Sequence, residues 1–309
     1  MRLIQVTQPL STLMIIALFC SGCQSGNRGT PPIIDDVDAA DPSAGIESFS
    51  QIYHLYPSPG EMLSIIDMAE MAYDGNLLNP AGDADRYLET RSKTYNLGIY
   101  MTDLAYAALF GRHEATLNYL EVVRTLSEEI RIDKAVDDQM IEKAKNNVEY
   151  LDSLYNISNE AFMNILSFCE RNERSNTVVM LSAGAFTESL FLAVNLIDNY
   201  EKADYLLQHL ADQKYTIDNF MAFAASLKSD DPNVAATMDD LKKIHEIYNR
   251  IDPGSGAVTI KKESESDEQK TKKLVIGGGS SESQPRLSRE EFEMLKEAVL
   301  ELRTKIIAG

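Results

Sequence analysis

Two acidic residues lie inside long apolar stretches of this sequence, where a charged side chain is unusual. Asp103 lies in YMTDLAYAAL, and Glu188 lies in VVMLSAGAFTESLFLAVNLI. A carboxylate among apolar side chains is costly to bury unless it is paired or hydrogen-bonded. A shift of 85 residues aligns the two positions, and each then belongs to a helical hairpin of similar length. If this weak repeat reflects an old duplication, the two carboxylates face each other across the axis of a helical bundle.

Two facing carboxylates allow three kinds of chemistry. They can share a proton, hold a metal ion, or act as an acid and base pair. The structural alternative is that each accepts hydrogen bonds from nearby tyrosines, such as Tyr95, Tyr100 and Tyr106, or pairs with Arg or Lys. We favour the structural alternative and keep Asp103 and Glu188 as a candidate ligand or paired-carboxylate site.

Other catalytic and metal-binding patterns are missing from the sequence. Helical bundles that hold two irons use Glu-x-x-His, and no acidic residue lies three positions before any of His54, His113, His209 or His245. The zinc HExxH motif, the phosphate-binding loop, the GxSxG elbow and the calcium loop are also absent. We therefore assign no catalytic residue and expect no metal and no cofactor.

The two cysteines near the start have spacing typical of a processed signal. An apolar run over 10–20 follows a weakly positive start and is too short to span a bilayer. Ser21 and Gly22 then precede Cys23, an order that resembles a bacterial lipoprotein signal, although Cys20 stands where an aliphatic residue is typical. The alternative, a metal or redox CxxC pair, has no partner cysteine or histidine pair downstream. We predict a signal peptide over 1–22 and lipid attachment at Cys23.

The segment after Cys23 and the last cysteine complete this prediction. Residues 23–48 are rich in Gly, Pro, Ser and Asp without apolar periodicity, which is typical of a flexible tether. Gln24 is not acidic, and by resemblance to known lipoproteins this favours the outer membrane of a bacterial envelope. Cys169 is then the one remaining thiol of the mature chain, and we expect a buried structural side chain there.

Composition excludes some partners and leaves others open. The chain has 309 residues, 44% of them hydrophobic, which is enough for a substantial core. Its net charge of −19 disfavours binding to nucleic acid or to an anionic surface. Tryptophan is absent, which weakens a sugar-stacking function, although 14 tyrosines remain.

The body of the chain, residues 49–252, has helical periodicity and no strand-like alternation. It predicts an all-α fold, a multi-helix bundle of packed αα-hairpins. The predicted helices begin with one whose start is Ser58 and Pro59 and whose end is Gly75. The others cover 83–111, 114–130, 134–155, 159–173, 176–198, 200–214, 217–228 and 232–251. The apolar stretch 178–197 contains Glu188 and other polar residues, so we expect a buried core helix and not a membrane span.

The C-terminal part changes character. Residues 253–286 are either a linker or a small β-hairpin, with short β-branched runs at 258–262 and 272–276. Residues 287–309 predict a helix that packs on the bundle, with a capping box formed by Ser288 and Glu291. Its apolar stripe consists of Phe292, Leu295, Val299, Leu302 and Ile306.

Several stretches together resemble an uncharacterised family of helical lipoproteins of the Bacteroidota: YPSPGEML, SKTYNLGIYMTDLAYAALFGRHE, SAGAFTESLFLA and EEFEMLKEAVLELRTKI. The resemblance implies an envelope location and a helical fold, and it carries no activity. We expect a lipid-anchored envelope protein of non-enzymatic binding or scaffold function, attached to the membrane and contacting an envelope protein partner. The alternative is an enzyme, or a metal or small-ligand site, built on Asp103 and Glu188.

Overall fold

The computed structural model describes residues 59–147, 150–251 and 286–309, which form an all-α fold as predicted. The predicted signal peptide, Cys23, the predicted tether and the segment predicted as a linker or β-hairpin lie outside the described residues. The helices are α1 (Pro59–Met68), α2 (Thr90–Leu109), α3 (His113–Glu129), α4 (Asp138–Asn146), α5 (Leu151–Arg171), α6 (Ser175–Asn195), α7 (Asp204–Ser226), α8 (Pro232–Tyr248) and α9 (Arg289–Ile307). Short 3-10 helices occupy Gly75–Leu77, Ala81–Arg86, Asp133–Ala135 and Tyr200–Lys202.

The core is centred on α2 and α6, which pack directly on each other. Helix α6 is long and apolar enough to span a membrane by composition, but 89% of its most apolar window is buried inside the fold. It is apolar on all sides because other helices surround it, which fits the expected core helix. Both carboxylates of interest lie on this central pair.

Two glycines allow the backbones of α2 and α6 to touch. A Cβ atom on Gly184 would lie 2.0 Å from the carbonyl oxygen of Tyr95, and one on Gly98 would lie 2.0 Å from that of Leu181. No side chain larger than a hydrogen fits at such a distance. Gly184 and Gly98 thus make reciprocal close contacts between the two helices.

The remaining helices cover this central pair. Helix α3 packs on α2, and α9 packs on α6, α8 and α2. The predicted capping box of Ser288 and Glu291 is present at the start of α9, and the five residues of its apolar stripe are buried. The C-terminal helix is therefore an integral layer of the bundle, although residues 252–285 separate it in sequence from α8.

Several predicted helix limits are wrong. Helix α1 ends at Met68, well before Gly75. Helix α4 ends at Asn146, and one continuous helix, α5, crosses the break predicted near 156–158. The Ser158 hydroxyl donates to the Tyr155 carbonyl inside that helix, so its polar side chain is accommodated locally. Helix α7 likewise crosses the predicted break at 215–216, because no Gly or Pro interrupts it.

Candidate functional site

Asp103 on α2 and Glu188 on α6 meet in the centre of the bundle. Both residues are 0% exposed. The two carboxyl groups interact, because the charge of Glu188 raises the pKa of Asp103. The fold thus brings together two residues that are 85 positions apart in the sequence.

A third charged residue, Arg303 of α9, pairs with Glu188. Its Nε donates to Glu188 Oε2 at 2.7 Å, and its Nη2 donates to Oε1 at 2.9 Å. The same Nη2 donates to the carbonyl of Leu77 at 2.9 Å, and the guanidinium lies over the Phe191 ring, 4.0 Å from its centroid. Both carboxylate oxygens of Glu188 are therefore occupied by one bidentate partner, the strongest geometry for such a pair.

Asp103 is held by the backbone of a nearby loop. The Asn79 amide N–H donates to Asp103 Oδ2 at 3.0 Å, whereas no donor group among the described residues bonds to Asp103 Oδ1. The loop is fixed in turn by tyrosines: the Tyr119 hydroxyl donates to the Asn79 carbonyl, and the Tyr100 hydroxyl donates to the Pro80 carbonyl. A backbone N–H group, and not one of the expected tyrosine hydroxyls, therefore donates to Asp103.

The tyrosines near Asp103 in sequence therefore do not bind the carboxylates as expected. Tyr100 donates to a loop carbonyl, and the Tyr106 hydroxyl accepts the Asp74 amide N–H at 3.0 Å. Both hydroxyl groups therefore connect α2 to the segment that precedes it. The predicted ion pair with Arg or Lys is present at Glu188 alone.

The charges of this cluster balance if one carboxyl keeps a proton. Burial raises the pKa of Asp103 well above its usual range, and the neighbouring Glu188 charge raises it further. Burial also raises the pKa of Glu188, but Arg303 and a hydrogen bond from Asp103 oppose that effect. We assign the proton to Asp103 and the negative charge to Glu188. With this proton, the Asp103 carboxyl donates a hydrogen bond from Oδ1 to Glu188.

This proton predicts a pH dependence of stability. Because the pKa of Asp103 is raised in the folded state, the folded chain binds more protons than the unfolded chain above about pH 4, the ordinary aspartate value. The contribution is complete below that pH and is lost as pH rises through the folded pKa. We expect Asp103→Asn to remove up to about 1.4 kcal/mol per pH unit from the slope of unfolding free energy against pH.

Chemical denaturation of the wild type and of Asp103→Asn across a pH series checks this prediction. The amide can accept from Asn79 and donate to Glu188, so the variant imitates the protonated acid and should fold. Equal slopes in the two proteins would show that Asp103 carries no extra proton in the folded state.

The cluster is enclosed, and this limits the chemistry it can perform. Two surface cavities formed by described residues are lined by other parts of the chain. No group of three or more His, Cys, Asp or Glu side chains suited to a metal ion occurs in the part of the chain that the structure describes. The arrangement can hold one proton and one bidentate ion pair, which together fasten α9 to α6.

Cys169 is the other group that could carry chemistry. Its side chain is 0% exposed, as expected for a structural cysteine. Burial raises the pKa of its thiol to about 11, so the thiol stays protonated at neutral pH. A buried, protonated thiol is a poor nucleophile, and Cys169 serves as a small core side chain.

Sequence reasoning missed Arg303, although a signal was present. Arg303 lies on the same face of α9 as Val299, Leu302 and Ile306, and it is only 7% exposed. A cation on an apolar stripe needs a buried anion, and Glu188 was expected to pair either with tyrosines or with Arg or Lys.

No protein-family model, curated protein or solved structure matches this chain, so the resemblance to helical lipoproteins of the Bacteroidota stays a prediction.

Proposed function

We propose that this chain is a lipid-anchored protein of a bacterial cell envelope, attached through Cys23, whose helical body acts by binding a protein partner and not by catalysis. The lipoprotein-like start of the sequence supports the anchor, and Gln24 supports the outer membrane. The all-α bundle supplies a stable body that needs no disulfide, and Cys169 is the free thiol of the described residues.

The burial of the carboxylate pair and its bonding to Arg303 are the main support for a function without catalysis. Glu188 is 0% exposed and uses both carboxylate oxygens on Arg303. A catalytic carboxylate must reach the atoms of a substrate. A bidentate, buried ion pair holds its carboxylate away from any such contact, and the pair therefore favours a structural role.

The alternative is an enzyme, or a metal or small-ligand site, on Asp103 and Glu188. The adjacency of the two buried carboxyl groups favours it, because a carboxyl pair that holds one proton can act as an acid and base. For a ligand to enter, α9 would have to leave the bundle and take Arg303 with it. Two adjacent carboxyls would then lose their cation, which makes this state costly.

Affinity purification of the full-length protein from native membranes tests the two functions. The wild type and a Glu188→Gln/Arg303→Met variant, which removes both charges together, are compared by mass spectrometry and by metal and metabolite analysis. The proposal predicts that both proteins recover the same partner. A metal or metabolite that accompanies the wild type and is lost from the variant would support the alternative instead.

The lipid anchor has its own test. We expect Cys23→Ala to abolish incorporation of a clickable fatty-acid analogue and to release the protein from the membrane fraction, because the thiol is the acylated group. Cys20→Ala should leave both properties unchanged, since Cys20 lies in the signal peptide. Continued labelling of the Cys23→Ala variant would refute the assignment.

A further inference from the structure

A surface groove lies where the end of α1 meets the corner between α6 and α7. Apolar residues from these segments line it: Ala69, Met71, Leu196, Ile197, Tyr205 and Leu206. Its volume is about 180 Å³. An engineered apolar cavity of about 150 Å³ accepts benzene, so the groove has room for one aromatic or branched aliphatic side chain.

The rim of the groove exposes apolar surface. Met68, next in sequence to the lining residue Ala69, is 61% exposed, and Tyr205 is 39% exposed; the Tyr205 hydroxyl donates to the Met68 sulfur at 3.5 Å. Exposed methionine beside an aromatic ring is a surface that adapts to different apolar partners. These exposed side chains lie next to a groove with an apolar lining, and together they form a surface suited to an apolar side chain of a partner.

The charge around the groove is acidic. Asp67, Glu70 and Asp198 are exposed, and within the described part of the chain none of them forms an ion pair. Lys202 is the unpaired cation on the lining. The lining itself thus carries one anion, Asp198, and one cation, Lys202, and the two further unpaired acids, Asp67 and Glu70, lie beside it in sequence at the end of α1.

Two further acidic residues nearby are already neutralised. Arg286 pairs with Asp204, and Arg289 pairs with Glu201 at 2.7 Å. Because these two acids are paired, the unpaired negative charge near the groove belongs to Asp67, Glu70 and Asp198. A cationic group on a partner would meet that surplus as the partner approached.

We propose that this groove binds a polypeptide segment of a partner protein in which one large apolar side chain is flanked by Lys or Arg. The apolar side chain enters between Met71, Ile197 and Tyr205, and the basic residues meet Asp67, Glu70 and Asp198. This inference deepens the proposed function and rests on it, since it names the class of partner for the binding body. Anionic partners such as nucleic acid are repelled by the same charges.

Synthetic peptides on the purified full-length protein test the proposal by fluorescence anisotropy. The probes are a peptide with phenylalanine between lysine pairs, the same peptide with glycine for phenylalanine, and the same peptide with glutamate for lysine. Only the first should bind well, and its affinity should fall as salt concentration rises.

Variants of the groove are compared with matched variants elsewhere. Tyr205→Ala and Glu70→Lys/Asp198→Lys should each weaken binding of the first peptide by about tenfold or more. Tyr215→Ala removes a tyrosine that is 60% exposed outside the groove, and Glu142→Lys/Asp239→Lys makes the same charge change on other exposed positions. Both controls should change the affinity by less than about twofold.

Three results would overturn the proposal. The first is equal loss of binding in the groove variants and their controls, which would indicate general attraction to an acidic protein. The second is tight binding only after residues 270–276, KTKKLVI, are replaced by Gly and Ser, which would make the chain's own segment the occupant. The third is a concentration-dependent dimer that Tyr205→Ala abolishes, which would make a second copy the occupant.

None of these results bears on fatty-acid labelling of Cys23 or on membrane purification, so failure here is distinct from failure of the proposed function.

Discussion

Replacing Arg303 with methionine is expected to lower the free energy of unfolding by about 3 to 5 kcal/mol. The substitution removes the only cation paired with Glu188 in the described residues and leaves its charge buried beside Asp103. It also removes a hydrogen bond that fixes the Leu77 carbonyl. Guanidinium unfolding followed by circular dichroism measures the loss.

Two controls separate this effect from ordinary loss of a surface charge. Arg289→Met breaks an ion pair with Glu201 whose partners are 57% and 66% exposed, and it should cost less than about 1 kcal/mol. Arg303→Met/Glu188→Leu removes both buried charges and should recover most of the stability lost in the single variant. A single Arg303→Met variant as stable as Arg289→Met would contradict the structural role of the pair.

Gly184→Ala is the second change with a large expected effect. The new Cβ atom would lie 2.0 Å from the Tyr95 carbonyl oxygen, a backbone atom that cannot rotate away. Helices α2 and α6 must then move apart along their whole contact, which loosens the core on both sides. We expect a loss of at least about 3 kcal/mol of unfolding free energy, or failure to fold, as for severe overpacking.

Thermal unfolding of Gly184→Ala, Gly98→Ala and Gly82→Ala tests this expectation in one series. Gly98 meets a backbone oxygen at the same short distance, so its variant should resemble Gly184→Ala. A Cβ atom on Gly82 meets no atom within 4 Å, and its variant should stay within about 0.5 kcal/mol of the wild type. Similar stability of all three variants would show that α2 and α6 do not touch at the glycines.

The local pattern of the sequence was enough to predict the helical class and several helix ends. Helix α8 begins at the predicted residue 232, where Pro232 follows the capping Asp231, and Ser288 with Glu291 begins α9 as predicted. Two of the errors are breaks placed inside continuous helices, as at 156–158, where Asn156 and Ser158 are polar. Such residues lower helix propensity by only a fraction of a kcal/mol, and burial of the apolar face of the helix outweighs that loss.

The candidate site was predictable only in part. Asp103 and Glu188 were recognisable because each charge interrupts an apolar helix, and burial of such a charge requires a partner. The identity of that partner depends on tertiary packing: Arg303 is 115 residues from Glu188, and no local period links them. The Asn79 amide that binds Asp103 was equally hidden, because a backbone donor leaves no trace in residue type.

The central claim is that Asp103 and Glu188 form a closed structural pair and not an accessible site. Carboxyl footprinting of the native protein with a water-soluble carbodiimide and an amine, followed by mass spectrometry, tests it most directly. If the pair is closed to solvent, both residues stay unmodified while the exposed Asp198 reacts. Modification of Asp103 or Glu188 in the folded protein at a rate similar to that of Asp198 would contradict it.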